Sequence, residues 1–443
     1  MNIKLSEHFG YKKLLKFTLP SIVMMIFTSI YGVVDGYFVS NFAGSTQFAA
    51  VNLIMPFLMI FGAVGFMIGT GGSALVSMKL GQKEDKKANE IFSLLIYVLI
   101  GVGIVFTISG IILVRPVASL LGAEGDMLDY CTTYGRIIML ALVPFMLQNV
   151  FQSFLVTAER PNLGLYITIA AGVTNMVLDG LFIGVFKWSI MGAATATALS
   201  QAIGGLIPLV YFILPNKTPL RLCKTHFDGK AILKACTNGA SEFMTNISMS
   251  IVNMLYNFQL MKIAGENGVS AYGVIMYVNM FFVAIYLGYS IGTAPIVGYH
   301  YGADNTDELK GLFKKSLRII GGAAIIITAL AQILAPILSG LFVGYDDALY
   351  KMTENGFRIY AISFLLAGFN IYASSFFTAL NNGFISALIS FGRTLVFQIL
   401  SVLILPLIFG LNGIWSSIIV AETLALVLSV TCFVKLRHRY HYA

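Results

Sequence analysis

Long apolar runs separated by short polar segments make up most of the chain between residues 17 and 434. Twelve of these runs are long enough for a helix to cross a bilayer, which takes about 20 residues. A run such as 94–105 does not alternate between apolar and polar positions, as a strand of a membrane β-barrel would. The pattern therefore predicts an all-α, polytopic membrane protein. Its predicted spans cover residues 17–40, 50–78, 91–114, 131–156, 164–186, 191–214, 236–260, 268–299, 317–343, 356–380, 384–409 and 413–434.

The composition excludes most classes of soluble protein. Hydrophobic residues make up 58% of the 443 residues and charged residues only 11%, whereas an ordinary globular domain has roughly 25% charged residues. The net charge of +8 does not indicate a nucleic-acid partner, because the Lys and Arg residues lie in short loops and tails. The four cysteines have no CxxC spacing, so they predict neither a zinc site nor a disulfide framework.

The distribution of basic residues predicts the orientation in the membrane. When the loops are assigned alternately to the two sides, 21 Lys and Arg residues fall on the side of both termini and 6 on the other. Cytoplasmic loops carry the excess of positive charge in proteins of this kind. We therefore expect a multi-pass protein of the cell membrane with both termini in the cytoplasm.

The longest polar segment divides the predicted spans into two sets of six. This linker has five basic residues and one acidic residue. We expect a cytoplasmic N-terminal segment, an N-lobe with helices 1–6, the linker, a C-lobe with helices 7–12 and a cytoplasmic basic tail, at residues 1–16, 17–214, 215–235, 236–434 and 435–443. The N-terminal segment is either an amphipathic helix on the membrane surface or a frayed charged terminus.

The two sets of spans repeat one another at an offset of 221 residues. Identical residues at this offset are Ala43-Gly44 with Ala264-Gly265, Val76 with Val297, Gly81 with Gly302, and Gly192 with Gly413. Because six is even, both halves enter the membrane from the same side, so the repeats are parallel. Transporters built from such repeats bind substrate near the membrane midplane, although a duplicated bundle can also be a scaffold or a channel.

Four acidic residues lie inside predicted spans, and Arg393 joins them there; insertion scales put the cost at roughly 2.5–3.5 kcal/mol each at a helix centre. They are Asp35, Asp179, Glu242, Glu422 and Arg393. A carboxylate in such a place can carry a proton or pair with a cation such as Na⁺ or an organic ammonium. Glu422 has a second interpretation, a structural ion pair with Arg393.

Two further features single out the first lobe. Asn175 lies four residues before Asp179, so an amide and a carboxylate share one helix face and present oxygen atoms that suit a hard cation. Pro20 lies fifteen residues before Asp35 in the first span. Because proline removes a backbone hydrogen bond, it predicts a bend in a helix that carries a titratable group.

Several motifs give the chain a resemblance to a known family. They are Pro20 with YGVVDGYFV at 31–39, GTGGSALV at 69–76 followed by Leu80-Gly81, NMVLD at 175–179, GAATAT at 192–197, and in the second half GTAPIV at 292–297 with Tyr301-Gly302-Ala303. Jointly these motifs resemble the multidrug and toxic compound extrusion (MATE) transporters over essentially the whole chain. The resemblance is greatest to the bacterial branch that contains the staphylococcal multidrug exporter and the DNA-damage-inducible type.

The resemblance implies a V-shaped pair of six-helix lobes. It implies the export of amphipathic, often cationic organic compounds in exchange for H⁺ or Na⁺ by alternating access. It places a cation-coupling site at Asp35, Asp179, Asn175, Gln152 and Thr197. No cofactor and no tightly bound metal are expected, only the coupling ion, with transient Na⁺ at the two aspartates. Span 10 lacks the acidic residue that another branch carries there, so a two-acid site in the C-lobe is not expected.

Six residues are candidates for the substrate cavity, because aromatic and Met side chains provide adaptable apolar walls and cation–π contacts. They are Glu242, Tyr37, Met55, Tyr256, Met276 and Tyr277. We expect Glu242 to face either a substrate cation or Arg393.

The expected partners are small organic molecules and the lipid bilayer, and we expect a monomer that binds no nucleic acid. An intramembrane enzyme is not expected, because all five histidines lie in loops or tails and no HExxH motif is present. The alternative function is a flippase for lipids or lipid-linked precursors from the same wider superfamily. A channel also stays open, and saturable transport would separate it from a carrier.

Overall fold

The structure is a computed structural model that describes residues 3–39, 42 and 45–443. The regular secondary structure of these residues is helical. The N-lobe helices are α1 (Tyr11–Phe38), α2 (Ser45–Gly81), α3 (Asp85–Leu120), α4 (Gly125–Leu140), α5 (Leu142–Thr157), α6 (Pro161–Asp179) and α7 (Ser189–Ile213). The C-lobe helices are α8 (Gly229–Gly302), α9 (Thr306–Val343), α10 (Asp347–Ala361), α11 (Phe364–Ala379), α12 (Gly383–Phe391) and α13 (Phe397–Tyr440). Two positions of the sequence repeat, Ala43 and Gly44, lie outside the described residues.

These helices provide the twelve spans that the sequence predicts. Among the described residues, eight continuous helical stretches can cross a membrane, and two bent pairs, α4 with α5 (55°) and α10 with α11 (48°), bring the number to ten. Two of the stretches hold two spans each, because Gly265 (φ 64°) and Gly410 (φ 56°) break the helical backbone of α8 and α13. An unbroken helix of the 74 residues of α8 would be about 110 Å long, several times the ~30 Å hydrocarbon core.

The turns between helices repeat at the same offset as the sequence. Residues with a side chain rarely adopt a positive φ, yet positive φ values recur 221 or 222 positions apart. The pairs are Lys83 (60°) with Asp304 (52°), Glu159 (61°) with Asn381 (56°), and Ser189 (50°) with Gly410 (56°). Equivalent helix ends therefore have equivalent backbones, as the predicted parallel repeat requires.

Each lobe has a hydrophobic core that is rich in aromatic side chains. In the N-lobe, Phe92 of α3 lies 4.8 Å from Phe154 and 5.0 Å from Phe212, measured between ring centroids. In the C-lobe, Phe313 of α9 lies 5.2 Å from Phe376 and 5.0 Å from Phe433. Each six-span bundle therefore has an aromatic core of its own.

The lobes touch backbone to backbone at one end of the bundle, which we call the linker side because it carries residues 3–10 and the segment between α7 and α8. A Cβ atom on Gly81 would lie 2.0 Å from the carbonyl oxygen of Tyr299, and one on Gly302 would lie 2.1 Å from that of Met78. The two contacts are related by the 221-residue repeat, so the interface is pseudo-twofold. Only glycine allows so close an approach, and the lobes are in direct contact here.

The N-terminal segment differs from both sequence-based alternatives. Residues 3–10 are not helical, and α1 begins at Tyr11. Leu5 and Phe9 are fully buried, so the segment is not frayed either. Neither prediction considered that this segment could fold back onto the protein.

Two other boundaries also move. α8 begins at Gly229, so the non-helical linker covers residues 214–228 and is shorter than the predicted 215–235. This linker docks on α3, where the side-chain oxygen of Asn89 accepts a hydrogen bond from the N–H of Arg221 at 2.6 Å. α13 continues to Tyr440, so most of the basic tail is helical.

Candidate functional site

Two carboxyl groups face each other in the half of the N-lobe away from the linker side. Asp35 lies in the last turn of α1 and Asp179 is the last residue of α6. Their carboxyl groups lie within hydrogen-bonding reach of each other. Asp179 is fully buried, and no donor among the described residues reaches either of its oxygens or Oδ1 of Asp35. Because two ionised carboxylates offer only acceptors and repel, this arrangement calls for a shared proton or a bound cation.

An amide and a hydroxyl group lie one helical turn away. Nδ2 of Asn175 on α6 donates to Oγ1 of Thr197 on α7, at 3.5 Å. Oδ1 of Asn175 is buried and, within the described ranges, has no hydrogen-bond donor. The predicted residues Asp35, Asp179, Asn175 and Thr197 therefore bring carboxylate, amide and hydroxyl oxygens together from three helices. Such oxygens suit a hard cation.

The backbone changes its helical type at two of the membrane-embedded charges. Immediately after Asp179 the chain forms a π-helical turn, Gly180–Val185, and Arg393 lies within a second π-helical turn, Gly392–Val396. Such turns are rare in proteins as a whole, but many of those that occur lie at functional sites, because the extra residue per turn redirects neighbouring side chains.

Gln152 does not join the cluster. It lines a small cavity with Gly164 and Thr168 of α6, and Thr168 lies eleven residues before Asp179, about 16 Å along the helix. The α5 amide that turns towards α1 is Gln148, which lies within hydrogen-bonding reach of the Tyr31 hydroxyl. The role of Gln152 in coupling remains a prediction that this geometry does not favour.

Two tyrosines near the carboxyl pair were not predicted as site residues. Tyr31 precedes Asp35 by four residues on α1, a spacing that puts both on one helix face and was available from the sequence. Tyr134 of α4 is fully buried and lies close enough to interact electrostatically with both carboxyl groups. Nothing in the sequence around Tyr134 indicated this, because its place depends on how α4 packs against the other helices.

A cavity of about 330 Å³ lies between α1 and the C-lobe. Met25 and Ser29 line it from α1, and the predicted residues Tyr256 and Met276 line it from α8. Tyr256 stacks on Tyr272 with parallel rings 4.8 Å apart, measured between centroids. The walls are therefore aromatic and Met-rich, with the charged side chains of the C-lobe at one edge.

Those charged side chains form a buried network. Nε of Arg393 donates to both carboxylate oxygens of Glu422, at 2.8 and 3.0 Å, so the expected ion pair is present. Asn370 donates to Oε2 of Glu422 at 2.7 Å and accepts from the Ser429 hydroxyl at 2.9 Å. Both oxygens of Glu422 therefore have hydrogen-bond donors, unlike those of Asp179.

Glu242 of α8 lies close enough to Arg393 to interact with it electrostatically. Within the described parts of the chain it forms no ion pair closer than 4 Å. Of the two expected neighbours of Glu242, Arg393 is thus nearby, but it is paired with Glu422.

Four predicted cavity residues do not line this cavity, namely Glu242 and the three that follow. Tyr37 is 57% exposed and its ring lies 6.4 Å from that of Phe42. Met55 packs against the N-lobe core. Tyr277 stacks on Phe342 at 6.5 Å. These side chains were chosen from the sequence by their chemical type alone. The type of a side chain does not indicate whether it lies on the side of its helix that faces the cavity.

The chain has close relatives in fold among solved structures. It superposes with a TM-score of 0.92 on a structure described as MATE in complex with MaL6, at 22% identity, with 98% of this chain and 97% of the other covered. A structure described as the outward-facing conformation of a multidrug resistance MATE family transporter of the MOP superfamily gives 0.91 at 23% identity, with the same coverage.

Curated relatives match over nearly the whole length. The multidrug export protein MepA of Staphylococcus saprophyticus is 23% identical over 439 residues, covering 97% of this chain and 94% of the relative. MepA of Staphylococcus haemolyticus is 24% identical over 434 residues with the same coverage. The MatE family matches twice, at residues 20–181 and 243–404, once in each lobe and over more than half of the chain. This membrane protein, with its two repeated six-span lobes, belongs to the MatE family of transporters.

Proposed function

We propose that this protein exports amphipathic, often cationic organic compounds from the cytoplasm in exchange for H⁺ or Na⁺, by alternating access. The observation that carries the proposal is the carboxyl pair of Asp35 and Asp179, which lies inside the membrane without a donor among the described residues. The relatives named multidrug export proteins support the export of several drugs by this chain too.

The coupling ion binds at the carboxyl pair. A proton shared between Asp35 and Asp179, or Na⁺ held by both with the oxygens of Asn175 and Thr197, removes the repulsion between the two carboxylates. When the ion leaves, the repulsion returns and favours a different packing of α1 against α6. Pro20 is the bend point in this proposal, since it lacks the N–H that would tie that turn of α1 to the preceding one.

Substrate binds in the cavity between α1 and the C-lobe. Tyr256 and Tyr272 offer ring faces to an organic cation, and Met276 adapts to different shapes. Glu242 lies near Arg393, which lines the cavity, and in this proposal it provides a further negative charge, because Arg393 is already paired with Glu422. α1 lines this cavity and also carries Asp35, so one helix connects the ion site with the substrate site.

The excess of basic residues makes the linker side cytoplasmic. Because the lobes are in backbone contact there, export requires them to part on the linker side. Ion and substrate exchange when each prefers a different one of these two states.

Efflux of a cationic dye from proteoliposomes tests the proposal, with a pH gradient and a Na⁺ gradient imposed separately. We expect one gradient to drive saturable efflux in the wild type, and Asp35→Asn and Asp179→Asn each to abolish it. Asp126→Asn, which changes an exposed aspartate in the first turn of α4, is the matched control and should transport normally. Gradient-driven efflux at the wild-type rate in both aspartate variants would contradict the proposal.

A further inference from the structure

Residues 3–10, which we call the strap, run across the linker side and contact both lobes. The strap precedes α1 and is not helical. Leu5 and Phe9 are buried in a hydrophobic cluster that includes the C-lobe residue Phe313 and the N-lobe residue Val156 of α5. The ring of Phe9 packs edge-on against His300 at the end of α8, with centroids 6.5 Å apart. The strap thus fills the crevice where the lobes meet.

Two carboxylates, one from each lobe, hold the backbone of the strap. Glu159, in the turn between α5 and α6, accepts the N–H of Leu5 at 2.7 Å. Glu308, in the first turn of α9, accepts the N–H of Phe9 at 2.9 Å and lies 2.6 Å from Nδ1 of His8. Both are charge-assisted hydrogen bonds, which are about twice as strong as neutral ones.

Basic side chains of the C-lobe add two contacts at the end of the strap. Nζ of Lys315 on α9 donates to the carbonyl oxygen of Phe9. Arg318, one turn further along α9, donates to the Tyr11 hydroxyl at 2.9 Å. The C-lobe therefore grips the strap at Phe9 and Tyr11, while the N-lobe grips it at Leu5.

The length of the strap limits how far the lobes can part. Four residues separate the N–H of Leu5 from that of Phe9, and a fully extended chain of four residues spans at most about 14 Å. Glu159 and Glu308 can hold both N–H groups only while their carboxylate oxygens stay within that distance plus the lengths of the two hydrogen bonds. If the linker side opens further, one of the two bonds must break.

We propose that the strap is a latch for the linker-side gate, and that release of Leu5 from Glu159 or of Phe9 from Glu308 sets how often the gate opens. The proposal rests on the alternating access proposed above. The bonds do not contribute to the carboxyl pair or to the cavity, so weakening the latch shifts the balance of states without altering either binding site. A cavity of about 620 Å³ beside Glu159, lined by Ile3 and Pro20, gives the released strap room to move.

Distances between spin labels on the two lobes test the latch. The labels replace Lys86 of α3 and Lys314 of α9, both exposed on the linker side, in a chain without its four native cysteines. Glu159→Ala and Glu308→Ala should raise the ratio of long to short distances at least tenfold. Glu159→Gln, which keeps an acceptor oxygen, should raise it less. Glu7→Gln is the matched control, because Glu7 pairs with Lys13 close by in the chain, and it should not change the ratio.

The same labelled chain distinguishes a failed latch from a failed transport mechanism. If substrate and ion gradients shift the wild type between short and long distances but the two Ala variants match it, the latch is wrong and alternating access stands. If no variant and no gradient produces a long-distance population in protein that melts at the wild-type temperature, both the latch and the proposed mechanism are wrong. A Glu7→Gln shift as large as that of the Ala variants also overturns the latch.

Discussion

Asp35 and Asp179 lie 144 positions apart in the chain, yet their carboxyl groups lie within hydrogen-bonding reach of each other. In the C-lobe, by contrast, Glu422 accepts hydrogen bonds from Arg393 and Asn370. The protein thus contains one pair of acids without donors among the described residues and one acid that is fully satisfied. In the proposed mechanism, the pair without donors takes up the coupling ion, whereas Glu422 stabilises the fold.

Asp35→Asn and Asp179→Asn should stabilise the protein although they abolish coupling. An asparagine gives the remaining carboxylate a donor and removes the repulsion between two negative charges. The gain should be about 1 kcal/mol, the net value of one hydrogen bond. Thermal unfolding in detergent at alkaline pH and without Na⁺, where the pair holds neither ion, measures it, with Asp126→Asn as the control. A melting temperature below that of the wild type for both variants would show that the pair is already satisfied.

Arg393→Leu should be much more destabilising than Glu422→Gln. Glu422 is 1% exposed, so removing its partner leaves a buried charge, which costs about 3–5 kcal/mol. Glu422→Gln instead leaves Arg393 at the edge of the cavity, where water can reach it, and Asn370 keeps an acceptor. Reversible unfolding in mixed micelles compares the two variants. Equal losses of stability would mean that the network does not hold Glu422 as described.

Gly81→Ala and Gly302→Ala should each shift the spin-label distances on the linker side to longer values. The added Cβ atom would lie about 2 Å from a carbonyl oxygen of the other lobe, and backbone on both sides leaves it nowhere to move. Gly101→Ala, in the open middle of α3, is the matched control and should be neutral or slightly stabilising, because Ala favours a helix by up to ~1 kcal/mol over Gly. Unchanged distances in both interface variants would show that the contact yields without separating the lobes.

Acidification should stabilise the folded protein through Glu159. Burial raises the pKa of this carboxyl group, against a smaller lowering by the N–H of Leu5 and the charges of Lys4 and Arg160, while Glu7 adds to the rise. The folded protein therefore binds a proton at Glu159 more tightly than the unfolded chain does, and its stability rises as the pH falls through the raised pKa towards the ordinary value of 4.5. Above the raised pKa this contribution is absent.

Thermal unfolding in detergent at pH 7.5 and pH 5 measures this effect in the wild type and in Glu159→Gln. His8 and Glu308 are common to both proteins, so the difference between the two pH responses isolates Glu159. The change in melting temperature on acidification should be more favourable in the wild type than in Glu159→Gln. An equal change, or a more favourable one in the variant, would contradict the assigned sign.

The sequence predicts the fold in detail because the determinants of its spans are local. Apolar runs, the recurring glycines and the even number of spans per half are visible without any packing information, and Gly265 and Gly410 break the helices between predicted spans. Asp179 and Asn175 could be paired because they share one helix face. That Asp35 faces these two residues could be inferred only from the family resemblance, which also indicated Thr197 as a residue of the site.

What the sequence did not predict depends on helix rotation and on contacts between distant residues. Gln148 and Gln152 are one turn apart in a polar stretch of α5, and only the packing of α5 against α1 decides which amide approaches Tyr31. The strap was missed because its partners, Glu159 and Glu308, lie 154 and 299 residues away from the N–H groups they accept. No periodicity in the first ten residues carries that information.

Release of the coupling ion upon substrate binding tests the central claim most directly. Purified protein in weakly buffered detergent solution is mixed with a cationic dye, while a pH indicator follows H⁺ and a Na⁺-selective electrode follows Na⁺. The account predicts that the wild type releases close to one cation for each dye bound, and that a chain with both Asp35→Asn and Asp179→Asn binds dye but releases none. Undiminished release from the doubly substituted protein would contradict the claim that this carboxyl pair holds the coupling ion.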